Sequence, residues 1–175
     1  LWFTRGAFSV GWRKSNQVSI QKMEEGKLDA QFLAAFLAQK ERDEASSQKA
    51  VEHCTTLIES IYKDVEKYKD YCGIALTEED ARRLKAEGKK AFFIGIENGY
   101  AIGSDLKNIK RYKEMGVNYI TLCHSYDNHI CNSSTNTQDA NKGLTAFGRK
   151  VVKEMNKVGV LIDLSHASEG TFWDV

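Results

Sequence analysis

Three apolar runs in this chain end in a side chain that can hold a metal ion or move a proton. Ala91–Ile96 consists of small and apolar residues without interruption and leads into Glu97, Asn98 and Gly99. Gly116 opens a run that ends at His124, and Gly159 opens another that ends at His166. Both glycines follow a helical pattern, where a residue able to adopt the left-handed conformation stops a helix. Strands that are apolar throughout and alternate with helices belong to parallel sheets built from βαβ crossovers. The fold class expected is therefore α/β, with strands near Leu28–Leu37, Ala91–Glu97, Asn118–Cys123 and Val160–Leu164. Their C-terminal ends would share one rim, the place where β/α barrels and open α/β sheets build active sites.

The remaining pattern supplies the helices. Leu28–Ala38 suits a strand or a helix by periodicity, and the polar break after it favours the strand. From Ala50 to Tyr68 apolar residues recur at steps of three and four, the mark of an amphipathic helix. Thr77, with acidic residues in the first turn, caps a helix that ends near Gly88. Ser104 is expected to cap a helix that turns Leu106, Ile109 and Tyr112 inward, and Thr145 one that carries Val151, Val152 and Met155. Ser168 opens a last one. The residues up to about Lys27 read as a long loop, and so does Ser125–Gly143, rich in Asn, Ser, Thr and Asp. A loop of that length in a compact α/β domain is usually functional or disordered.

Composition narrows the function. The chain has 175 residues and a net charge of +1 with no basic stripe, so it carries no electrostatic footprint for nucleic acid. No apolar run approaches the roughly 20 residues of a membrane-spanning helix. The opening residues do not form a signal peptide, although Leu1 leaves an earlier leader open. Cys54, Cys72, Cys123 and Cys131 make no metal-binding or redox spacing and read as free thiols. Four strands are about half of a β/α barrel, whose usual length is around 250 residues. Residues 1–175 are thus expected to be part of one barrel domain, cut at both ends. Its two unpaired sheet edges predict self-association, for instance as a homodimer.

Neutral imidazoles and a carboxylate suit Zn²⁺ and related divalent ions, and a carboxylate can bridge two of them. Each residue has a plainer reading as well, since a single histidine after a strand is often just a packed one. The pattern alone leaves both open. His53 reads as a helix-surface residue, His129 as a solvated loop histidine and Asp163 as a capping or supporting carboxylate.

The segments IGIENG, YITLCHSYDN and GLTAFGRKVVKEMNKVGVLIDLSHAS, in that order and spacing, resemble the membrane dipeptidase family of zinc metallopeptidases. QKMEEGKLDAQFLAAFLAQ extends the similarity over most of the chain. The resemblance implies a β/α barrel with a binuclear zinc site that hydrolyses dipeptides. It implies that Glu97 bridges the two ions, that His166 ligates one, and that His124 contacts substrate and takes up charge on the scissile carbonyl. The family's first-strand His-x-Asp would lie before Leu1, and its later ligand and substrate-binding residues beyond Val175. The cysteine positions suggest a bacterial-type member, periplasmic or cytoplasmic. The competing readings are another barrel metallohydrolase, acting on a cyclic amide, lactone or nucleobase, and a non-catalytic binding protein on the same fold.

Overall fold

The computed structural model describes residues 2–3, 9–11, 16–139 and 142–175. In chain order these form β1 (Trp2–Phe3), α1 (Ile20–Glu25), β2 (Ala30–Phe36), α2 (Glu44–Glu66), β3 (Cys72–Ile74), α3 (Glu78–Ala86) and β4 (Lys90–Glu97). A 3₁₀ turn, α4 (Lys107–Glu114), β5 (Val117–Thr121), a second 3₁₀ turn, α5 (Ala146–Val158), β6 (Leu161–Asp163) and α6 (Glu169–Asp174) complete it. All the strands pair in parallel, in the order β1-β2-β4-β5-β6. β3 pairs with the first residues of β4, on the edge that β5 takes over from Ile94 onward. This is the expected parallel α/β architecture of the barrel type.

Register decides which side chains share a face. Leu33 lies opposite Ile94, Ala35 opposite Ile96, and Ile96 opposite Ile120. These residues are fully buried, in one core with Cys54, Leu57, Ile58 and Ile61 of α2, Ile109 and Tyr112 of α4, and Val151 and Met155 of α5. Because side chains alternate along a strand, the other face carries Phe32 and Phe36 of β2, Phe93, Gly95 and Glu97 of β4, Tyr119 and Thr121 of β5, and Leu161 and Asp163 of β6.

Most helix ends follow the sequence reading. The Thr77 hydroxyl and the Asp80 carboxylate cap α3 reciprocally, Thr145 accepts from the Gly148 N–H, and Ser168 accepts from the Thr171 N–H. Gly116 and Gly159 adopt φ of 85° and 73°, ending α4 and α5 as expected.

Four expectations need correction. α2 begins at Glu44, capped by Asp43, because its first turn buries only the small polar Ser47 and carries no apolar stripe to announce it. Ser104 does not cap α4. Its hydroxyl donates to Glu44 Oε2 at 2.9 Å, and Asp105 receives the Lys107 N–H instead. The segment before Lys27 is not all loop, since it contains β1 and the Ser19-capped α1. β3 was not expected, because three residues are too few to show a period.

Candidate metal centre

Glu97, His124 and His166 meet at the C-terminal rim. Glu97 is the last residue of β4, and the two histidines each lie three residues past the end of their strand, β5 and β6. Glu97 Oε1 is 3.4 Å from His124 Nε2 and 3.4 Å from His166 Nε2. The imidazole rings are 4.3 Å apart, and the three candidate ligand atoms all lie within 4.8 Å of one another. Around a four-coordinate zinc with bonds of 2.0–2.1 Å, neighbouring ligand atoms stand about 3.3–3.4 Å apart. The donor set and its spacing therefore fit a divalent ion of the zinc type.

The sheet delivers these groups by close packing beneath them. A side chain at Gly95 would strike the Tyr119 ring at 2.1 Å, so glycine there lets Tyr119 lie across the sheet under Glu97. The Tyr119 ring also meets Phe32 edge-on at 5.2 Å. Burial, followed by the charges of Glu97 and Asp163, pushes the Tyr119 phenol up to about 12, which keeps it neutral. Glu97 itself is nearly buried beside these rings, and a carboxylate so placed requires compensating partners.

The two histidines are held differently. His124 packs edge-on against Phe36 at 4.9 Å, and its Nδ1 lies 2.9 Å from the Ser125 hydroxyl. Burial, then the neighbouring His166, holds it below the ordinary histidine value, while Glu97 pulls the other way. A neutral imidazole results. His166 is more open, 38% exposed at the side chain against 19% for His124. It sits at φ 65°, a left-handed conformation that costs a non-glycine residue free energy and must be held by its surroundings.

The restraint comes from the loop after β5. Its Ser134 N–H donates to His166 O at 2.8 Å, and its Ser133 hydroxyl lies 2.6 Å from His124 O and 3.3 Å from His166 O. Asn128 ties the same loop back to Leu122 O and Asn98 Oδ1, and Asp127 accepts from Asn132, Ser133 and Asn136. Residues 127–136 of the polar segment thus form a hydrogen-bonded scaffold that positions both histidines from the backbone side. On the β6 side, Asp163 accepts from Thr121 Oγ1 at 2.5 Å and from Ser165 N and Oγ, which fixes the turn into His166.

Asp163 therefore plays the supporting role expected of it. His53 is exposed on α2, away from the three clustered ligand atoms. His129 is not solvated, as the loop composition had suggested. It is half-buried between the rings of Tyr100 and Phe147, and its Nε2 is buried without a partner. The four cysteines are free and buried. Ser125 and Phe36 were missed, although CHSYDN places a hydroxyl next to His124. Nothing in the sequence marks Phe36, whose contact is made across the sheet.

A sequence model of the membrane dipeptidase family, peptidase family M19, matches residues 4–175. The chain belongs to the membrane dipeptidase family. Dipeptidase 3 of Rattus norvegicus is 31% identical over 173 residues, which cover 95% of this chain and 31% of that protein. Dipeptidase tcpJ of Claviceps purpurea is 28% identical over 91% of this chain and 39% of its own length. Among solved structures, the probable dipeptidase PvdM from Pseudomonas aeruginosa superposes with a TM-score of 0.82 at 25% identity, over 94% of this chain and 44% of that one. The chain thus spans between about a third and a half of these dipeptidases, as the figures of 31%, 39% and 44% state.

Proposed function

We propose that the complete enzyme hydrolyses dipeptides at a binuclear zinc site to which this chain contributes Glu97 and His166 as ligands and His124 as a substrate-contacting group. The observation that carries this reading is the convergence of three donor atoms within 4.8 Å at the strand ends of a membrane dipeptidase family chain. When bound, zinc would supply the Lewis acidity that makes water nucleophilic at neutral pH and polarises a peptide carbonyl.

The chain's own residues do the rest. Glu97 brings a carboxylate with two oxygens into a nearly buried position, where its charge offsets that of divalent cations. In this reading the Ser125 hydroxyl donates to His124 Nδ1, which leaves the proton on Nε2, the nitrogen that faces the site. A neutral imidazole in that tautomer can donate a hydrogen bond to the carbonyl oxygen as charge builds there. Phe36 packs against the His124 ring and holds its orientation.

The equal 3.4 Å separations from Glu97 support a second reading, in which His124 is a third ligand. Metal content separates the two, since a His124→Ala enzyme keeps its zinc in the first reading and loses an ion in the second. The overall proposal is tested with a dipeptide such as Ala-Ala. Chelation should abolish hydrolysis and added zinc restore it, whereas a metal-free enzyme that kept its rate would refute the proposal.

A further inference from the structure

An open cleft of about 950 Å³ lies beside the candidate metal centre, between the residues that follow β2, the first turns of α2 and the loop after β5. Lys40, Arg42 and Lys49 line one wall, and Ser125 and Tyr126 the other. Gln39 ties the walls together, its Nε2 donating to Asp127 O at 2.6 Å. Ser125 belongs to both places, because its hydroxyl touches His124 Nδ1 at 2.9 Å while the residue lines the cleft. A molecule bound at His124 therefore has this cleft as its neighbour.

The charge balance of the cleft is uneven. Lys40, Arg42 and Lys49 are exposed, and none of them forms an ion pair among the described residues. Two acidic residues line the same space, Glu41 and Asp127. Asp127 is already committed, with Oδ1 accepting from Ser133 N at 2.7 Å and Oδ2 from Asn132 and Asn136 at 2.8 and 2.6 Å. Three cations thus stand against two carboxylates, and because neutral donors already occupy both Asp127 oxygens, the lining keeps a net positive charge whose cations face a concave space where field lines from like charges reinforce one another. The Arg42 guanidinium adds a planar fork matched to a carboxylate.

We propose that this cleft receives an acidic side chain of the substrate, so that the enzyme favours dipeptides containing Asp or Glu over their neutral amides. The inference rests on the dipeptidase reading and adds the substrate class. Because the cations are solvent-exposed, the preference is moderate and screened by salt.

The test compares kcat/KM of the complete, zinc-loaded enzyme on Ala-Glu against Ala-Gln and on Glu-Ala against Gln-Ala, with Ala-Ala as reference. One acidic substrate should exceed its amide by about tenfold, and the ratio should fall towards unity near 1 M salt, where the screening length is only about 3 Å. Replacing all three cations, as Lys40→Gln, Arg42→Gln and Lys49→Gln together, should also remove the preference and leave Ala-Ala hydrolysis unchanged. These residues are exposed, so the variant should fold. Acid and amide turned over at equal rates, or a preference that survives the triple replacement, would overturn the inference while Ala-Ala hydrolysis keeps the dipeptidase reading intact. Failure to hydrolyse any of the five substrates would overturn both.

Discussion

The two faces of the sheet are built from similar residues and serve different ends. On the helix-covered face Phe92, Ile94, Ile96 and Ile120 are at most 1% exposed. On the other, Phe32 is 37% and Leu161 is 65% exposed, though both are as apolar as anything opposite. The covered face makes stability, since each buried aliphatic or aromatic side chain contributes about 1.5–3 kcal/mol relative to exposure. The open face contributes less to stability and more to placement. Its layers run from Phe32 and Phe93, through Gly95 and Tyr119, to Glu97 and Thr121 at the rim, so its packing sets where the carboxylate stands. The candidate metal centre lies at the rim of the face that the helices do not cover.

The same chemical change on each face should expose the difference. Phe92→Ala, in the covered core, is expected to cost about 3–5 kcal/mol in denaturant unfolding. Phe32→Ala in the same chain should cost about 1 kcal/mol, in line with its partial exposure. Equal losses in the complete enzyme would show that further chain buries the inner face there. At the rim, His124→Ala should lower kcat by roughly 10²–10³-fold, the usual effect of removing one donor to a developing oxyanion, with stability nearly unchanged. A variant that lost both stability and zinc would give His124 a structural or ligating role. Smaller still is Thr145→Ala, which removes the cap of α5 on the covered side and should cost about 1 kcal/mol without changing kcat.

What could be read from the sequence divides along related lines. Glu97, His124 and His166 could be found because each stands at the end of an apolar run, and the parallel architecture then carries all three to one rim. The caps at Thr77, Thr145 and Ser168 and the helix-ending glycines were equally visible, because their partners lie within a few residues. Contacts between distant segments were not visible. Ser104 was assigned to its own helix because nothing local reveals Glu44, sixty positions away, as its partner. Likewise, the hold of Ser133 and Ser134 on His166 O depends on a fold that brings two loops together, and composition showed only that the loop was polar. His129 looked solvated for the same reason, its aromatic neighbours arriving from other elements.

The central claim is that Glu97 draws the open face into a metal centre. Metal content of the Glu97→Gln enzyme, measured by mass spectrometry beside wild type, tests it most directly. The substitution keeps the side-chain volume and removes the charge that offsets the cations, so the zinc-to-protein ratio should drop well below that of wild type while the folded state persists. A folded Glu97→Gln enzyme that retains its full zinc content would contradict the claim.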